Sequence, residues 1–416
     1  LIKTIRAIHR YKNNIQTDYT KFMFGNKEIK LNDEQHKIVT ASTENHMRDI
    51  AGAGSGKTTT MICRIKYIID KGVDPERFLL TTFNVDAAES MKNKIVELFG
   101  FMPKITIGTI DSIACKFYYR YFKQDHYVGI SEYATYFLKY LRSNDNMISS
   151  IYKYIFFDEF QDVNETQFQI LKEFYNSGAC ITVIGDDSQN IYNFRGSNIK
   201  YILNLEQQFK NLNTYKLVNN YRSTPEIINL ANYSIKFNTE QIQKEMIPNH
   251  DSIGCKPIVK YYPNIRTQNE TLYKNILDYH KQGIEYEEIA ILCRVNYPLK
   301  LLEETIERLN CKSDDKIKYV ALVNDDNSDV KPKIKPGHIT LTSIHKSKGL
   351  EWKIVYILDC CDNRFPSETD KLSIQEERRL FYVATTRAKQ YLFYLFSGDE
   401  RNKNAKAPKL TRFLQE

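Results

Sequence analysis

The chain has 416 residues, 42% hydrophobic and 26% charged, an ordinary globular composition with room for two or three domains. Its 59 basic and 51 acidic side chains leave a formal charge of +8, which suits a polyanionic partner but also suits lysine enrichment without function. No apolar run reaches the length of a membrane span and no signal-peptide pattern is present. The eight cysteines lack paired CxxC spacing, which argues against a zinc ribbon or disulfide framework; free thiols in an intracellular, reducing compartment are expected.

Residues 1–30 form a basic N-terminal segment, with Lys3, Arg6, Arg10, Lys12, Lys21, Lys27 and Lys30 against Asp18 and Glu28. A solvated helix surface is expected there, a nucleic-acid-binding arm being the alternative. The strand before residue 51 carries Arg48 and Asp49, where a fully apolar run would be usual. Ala51 to Thr60 then read AGAGSGKTTT, the form of a phosphate-binding loop. Ala51, Gly52, Ala53, Gly54, Ser55 and Gly56 are small enough for backbone N–H groups to close around phosphates, and the following helix N-terminus adds a favourable dipole. Lys57 is placed to reach the β- and γ-phosphates, Thr58 to ligate Mg2+, and Thr59 to complete the cradle.

A helix follows, with Met61, Ile62, Ile65, Ile68 and Ile69 at helical spacing, ending at Lys71-Gly72. Strand candidates are Phe78 to Thr82, Ile105 to Gly108, Tyr154 to Phe157 and Cys180 to Gly185, with a helix carrying Ala87, Met91, Ile95 and Leu98. This alternation argues for a parallel sheet covered on both faces. YIFFDEFQD is an apolar strand ending in two acids, which suggests Asp158 as the Mg2+ carboxylate and Glu159 as general base. Next comes GDDSQNIYNFRG, where Gln189 is directed towards the nucleotide. Behind it, Tyr192, Phe194 and Arg195 suit base stacking and a phosphate contact, or else belong to the core.

A second alternating stretch begins near Tyr215. Its strand candidates are Pro257 to Tyr261, Glu288 to Cys293, Ile339 to Thr342, Ile354 to Leu358 and Gln390 to Phe396. Helical segments fall around Glu226 to Tyr233, Glu270 to Lys281 and Leu299 to Leu309, and a polar loop is expected from Ala321 to Pro336. The division expected is a first lobe at 31–212 and a second at 213–416.

The chain resembles the UvrD/Rep/PcrA group of superfamily 1 DNA helicases. The likeness rests on motifs in family order: LNDEQHKIV, AGAGSGKTTT, TTFNVDAAESM, GTIDSI, DEFQD, GDDSQNIYNFRG, VNNYRS, ILCRVN, HKSKGLEW and EERRLFYVATTRAK. It implies two RecA-like P-loop NTPase lobes, each an α/β parallel sheet flanked by helices. Residues 113–150 would be a reduced helical accessory insertion, making the chain close to a bare motor core.

By the same resemblance, Gln35 would read adenine, Tyr221 would stack on it, and Glu351 would contact the ribose side. Arg222 and Arg387 would act as arginine fingers from the second lobe, meeting the need for positive charge where transition-state charge develops. Phe83, Ser112, Tyr192, Phe194, Arg195 and His345 would line a single-strand track. The implied cofactors are ATP and Mg2+, and the implied partners are single-stranded and tailed duplex DNA with replication or repair proteins, no membrane being involved. The activity implied is ATP-driven 3′-to-5′ translocation with duplex unwinding, in DNA repair, recombination or replication. The alternative is a translocase that remodels protein–DNA complexes without efficient unwinding. A P-loop small-molecule kinase is a third reading and a degenerate binding module a fourth. Two departures, Asp86 where relatives carry Lys and Asp111 where they often carry His, place negative charge near the expected strand path.

Overall fold

A computed structural model describes residues 18–121, 129–143, 150–321, 333–367, 373–398 and 408–416. It divides into two units, Leu1–Val218 and Asn219–Glu416.

The first unit begins with Lys21–Phe24 (β1) and Lys27–Lys30 (β2), paired antiparallel around Gly25 at φ 57, a conformation costly for any side chain. Phe22 and Phe24 alternate inwards and are buried in the core. Over residues 18–30 the expected solvated helix is therefore a hairpin: a period of two outweighs the lysines, which sit on the outer face. Residues 1–17 lie outside the described residues.

Next come Asp33–Thr40 (α1), His46–Ala51 (β3), Lys57–Asp70 (α2), Phe78–Thr81 (β4), Val85–Phe99 (α3), Thr106–Gly108 (β5), Ile110–Tyr121 (α4) and Ile130–Leu141 (α5). They are followed by Tyr154–Phe157 (β6), Glu165–Asn176 (α6), Cys180–Gly185 (β7), Lys200–Leu203 (α7) and Leu212–Leu217 (β8). The sheet runs β5-β4-β6-β7-β3-β8 with every neighbour parallel. Strands β4, β6 and β7 are buried along their whole length, as helices on both faces of a parallel sheet require. The helical insertion expected at 113–150 is represented by α4 and α5, which pack on each other through Phe117–Phe137 stacking at 5.0 Å. Its parts at 122–128 and 144–149 lie outside the described residues.

The charges in β3 have a structural account. Arg48 donates to Ile202 O and Leu203 O at 3.0 and 2.9 Å, to Thr214 Oγ1 at 3.1 Å, and pairs with Glu206. It staples the edge strand and α7 onto β3, so its guanidinium is buried but satisfied. Asp49 is 1% exposed with Oδ1 unpartnered, and burial raises its carboxyl to about 7 against the partial offset of Arg64. Arg64 in turn donates to the carbonyls of Ile38, Val39, Ala41 and Ser42, tying α2 to the end of α1.

In the second unit, Asn219–Asn220 (β9) pairs with Ile247–Pro248 (β10). The main sheet comprises Ile258–Tyr262 (β11), Ile289–Cys293 (β12), Tyr319–Ala321 (β13), Ile339–Ser343 (β14), Trp352–Ile357 (β15) and Ala388–Ser397 (β16). Its order is β11-β16-β15-β12-β14-β13, again all parallel. Helices Pro225–Ile235 (α8), Ile265–Lys281 (α9), Tyr297–Asn310 (α10) and Ile374–Thr385 (α11) complete the unit. Each sheet flanked by helices is the architecture of a RecA-like lobe. Most of the expected polar loop, 322–332, lies outside the described residues.

The division falls between Val218 and Asn219, beyond the expected 212/213 boundary. Strand β8 pairs with β3 along its full length, from Leu212 opposite His46 to Leu217 opposite Ala51, and so belongs to the first sheet. Among the described residues, no helix is long and apolar enough to cross a membrane.

Candidate functional site

The carboxyl ends of β3, β6 and β7, which are neighbours in the order β6-β7-β3, deliver the phosphate loop, the paired acids and Gln189 to one edge of the first sheet. That edge is where open α/β sheets bind ligands. Ala51, Gly52 and Ala53 are buried and Gly54, Gly56, Thr58 and Thr59 half-buried. Gly52 N donates to Leu217 O at 2.9 Å, anchoring the loop to β8. Gly54 and Gly56 adopt φ 65 and 80, which favours glycine at both, and a Cβ on Gly56 would meet Gln35 Nε2 at 2.9 Å. Helix α2 starts at this glycine without a side-chain cap, leaving its first N–H groups facing the loop. Ser55 Oγ is buried without a partner among the described residues. An uncapped helix start and an orphaned hydroxyl are what an incoming phosphate would satisfy.

Gln35 is held by a capping box. Its N–H donates to Asn32 Oδ1 at 2.8 Å and its Oε1 accepts from Asn32 N at 3.1 Å, while Nε2 donates to Ser55 O at 3.2 Å. The side chain expected at adenine is thus fixed against the phosphate loop.

Lys57 Nζ lies 3.9 Å from Glu159 Oε1, joining the glycine-rich loop to the acid expected as general base. Asp158 is buried, and burial together with the Glu159 charge pushes its carboxyl up against the pull of Lys57. A divalent cation there would restore the charged form. Asp158 Oδ1 accepts from Glu159 N at 3.0 Å, and Glu159 itself sits at φ 54, a left-handed conformation that costs a side chain roughly 1–3 kcal/mol. What holds it is a residue with no role apparent in the sequence. Gln161, fully buried, donates from Nε2 to Glu159 Oε2 at 2.6 Å and accepts at Oε1 from Asp186 N at 2.9 Å. Asp186 in turn accepts from Gln189 Nε2 at 2.7 Å. The only sequence signal is a glutamine two residues after Glu159 at a strand end.

The aromatic positions separate. Tyr192 is buried and stacks on half-buried Phe83, with ring centroids 5.0 Å apart, whereas Phe194 is 59% exposed. Arg195 lies over both the Tyr192 and Phe194 rings at 5.5 and 5.7 Å. Ser112 Oγ donates to Thr109 O at 2.9 Å within the start of α4. Asp86 and Asp111 occupy the first turns of α3 and α4, where a carboxylate stabilises the helix dipole, which explains both departures locally.

In the second unit, Asn220 Oδ1 accepts from the N–H groups of Arg222 and Ser223, shaping the turn that presents Tyr221, which is 38% exposed. Arg222 pairs with Glu351 and donates to Thr386 O at 3.0 Å, and Lys389 Nζ lies 3.0 Å from Glu351 Oε1. Burial would raise the Glu351 carboxyl, but Arg222 and Lys389 override it and hold it at about 2. Arg387 donates to Val383 O, Leu350 O and Thr386 Oγ1 at 2.9, 3.0 and 3.1 Å. His345 is half-buried in the turn after β14. Arg222, Glu351 and Arg387 are therefore brought together at the junction of β15, α11 and β16. Also unforeseen is the pair of Arg294 with Glu377, both buried, in which Nε and Nη2 converge on Oε1 at 2.9 and 2.8 Å.

Comparisons with known proteins identify the family. The UvrD/REP helicase N-terminal domain matches residues 31–128 and 117–210, and the UvrD-like helicase C-terminal domain matches 215–321 and 314–397. A probable DNA helicase of Mycoplasma pneumoniae is 24% identical, covering 87% of this chain and 82% of its own length. A protein of Acanthamoeba polyphaga mimivirus, provisionally designated an ATP-dependent DNA helicase, is 30% identical over 88% of this chain and 53% of its own. The ATP-dependent DNA helicase PcrA of Staphylococcus epidermidis is 28% identical over 67% and 50%. The chain thus spans about half the length of the latter two relatives. With both domain models matched in order and both sheets built as the motifs require, the chain belongs to the UvrD-like helicase family.

Proposed function

We propose that the protein is a DNA-dependent ATPase that moves 3′ to 5′ along single-stranded DNA and opens duplex ahead of it. The observation that carries the hydrolytic half is the convergence of Lys57 on Glu159 beneath an uncapped helix start. In the first unit Gln35 is assigned to adenine and the loop from Ala51 to Thr59 to the phosphates; in the second, the resemblance assigns Tyr221 to base stacking and Glu351 to the ribose side. Thr58 and Asp158 hold Mg2+, which when bound neutralises phosphate charge. In the first unit Glu159 takes the proton of the attacking water and Gln189 senses the γ-phosphate; in the second, Arg222 and Arg387 are the arginines the resemblance assigns to charge stabilisation. Phe83, Ser112, Tyr192, Phe194 and Arg195 are the strand-contacting residues of the first unit, Phe194 supplying the most exposed ring, and His345 is the one assigned in the second.

The test is ATP hydrolysis with and without single-stranded DNA, followed by unwinding of duplexes carrying 3′ or 5′ tails. Stimulated hydrolysis with displacement from 3′-tailed duplexes only supports the reading in full. Robust stimulation with no displacement would select the translocase alternative, for which the short α4–α5 insertion speaks. A role in repair, recombination or replication is what the family resemblance implies and belongs to the same proposal.

A further inference from the structure

The base Glu159 and the sensor Gln189 stand on different strand ends, yet one side chain spans them. Gln161 has its carboxamide orientation fixed by chemistry: the Asp186 N–H can only donate, so it faces Oε1, and the carboxylates of Glu159 and Asp162 can only accept, so they face Nε2. Its own carbonyl accepts from Asn190 Nδ2 at 2.6 Å. The carboxamide is thus saturated and fully buried. Gly185 permits the approach: a Cβ there would lie 2.5 Å from Gln161 Oε1 and 3.2 Å from Gln161 N. Beyond Asp186, whose Oδ1 and Oδ2 hold Ser188 N and Gln189 Nε2, the same loop continues to Tyr192 and Phe194. Glu159, held at φ 54, needs such an external tether to keep its carboxylate in one place.

We propose that Gln161 is the positioning residue that sets Glu159 against the Gln189 loop, so that a strand seated on Tyr192 and Phe194 acts on the base through it. The coupling to DNA rests on the proposed function; the positioning of Glu159 does not. Displacing a reacting group by about 1 Å costs about 10²-fold in rate. Gln161→Met, of similar size but without either hydrogen bond, is expected to lower the kcat of ATP hydrolysis by about 10–10²-fold. The KM for ATP should stay within roughly twofold, since Gln161 is assigned no nucleotide contact and what is lost is the placement of the base. The stimulation by single-stranded DNA should collapse with it. Gln161→Leu also lacks both hydrogen bonds; it should lose kcat as Gln161→Met does, and it serves if the methionine variant does not fold.

The experiment is steady-state hydrolysis by wild type and both variants with and without single-stranded DNA, alongside binding of a fluorescent ATP analogue. A folded variant that retains wild-type kcat overturns the inference. So does a variant losing nucleotide affinity in step with kcat, which marks a scaffold role. Wild type that hydrolyses ATP without DNA stimulation would sink the proposed function and the coupling, while basal kcat still judges the positioning. Wild type without hydrolysis would sink both.

Discussion

Asp49→Asn gives a direct measure of the charge buried in β3. Asp49 is 1% exposed and its carboxyl is raised from 3.8 to about 7, burial outweighing Arg64. Its folded value therefore lies above its unfolded one. Between about pH 4 and 7 the folded chain holds a proton that the unfolded chain has released, and stability falls as pH rises through that window. The penalty is absent below about pH 4 and complete above about pH 7. At about 1.4 kcal/mol per pH unit, the gap amounts to at most about 4 kcal/mol. Asparagine carries no such charge. The stability of Asp49→Asn minus that of wild type should therefore grow by up to about 4 kcal/mol from acid to mildly alkaline conditions. Hydrogen exchange of the Met47–Ala51 amides, corrected for intrinsic rate at each pH, reads it within the first unit. A difference that stays constant across the range would refute the reasoning and mean that Asp49 is charged and compensated throughout.

Other outcomes follow from named contacts. Arg294→Met strands the buried Glu377 carboxylate and should destabilise the second unit by about 3–5 kcal/mol. The only tryptophan, Trp352, is buried in β15, so its fluorescence during urea unfolding reports that unit, and an unchanged midpoint would exclude an essential pair. Glu159→Gln should keep ATP binding and lose about 10²–10⁴-fold in turnover. Phe194→Ala, at 59% exposure, should leave thermal stability within about 0.5 kcal/mol of wild type. Binding to single-stranded DNA should weaken by about 1–3 kcal/mol with basal hydrolysis intact, and an equal loss in both would make the ring a core element.

The elements most legible in the sequence are those whose signal is local. Tyr154–Phe157 and Cys180–Gly185 coincide with β6 and β7 because each is a short apolar run bounded by turn residues. The phosphate loop and paired acids were legible because glycine and carboxylate spacing follows from the chemistry. The hairpin at Lys21–Lys30 was hidden by its charge, although Phe22 and Phe24 already alternated. Arg48 resisted reading because its partners lie more than 150 positions away, at Ile202, Leu203 and Thr214. Strand β8 was split by the expected boundary because its pairing with β3 is invisible in a pattern of leucine, asparagine and lysine. Gln161 is similar: only the approach of β6 and β7 brings Asp186 to it.

The central claim, that this phosphate loop drives movement on DNA, is tested most directly by the rate of ATP hydrolysis measured with and without single-stranded DNA. Hydrolysis that rises severalfold with DNA and disappears in Lys57→Ala is the predicted result. A rate indifferent to DNA would contradict the claim and return the chain to the kinase or binding-module readings.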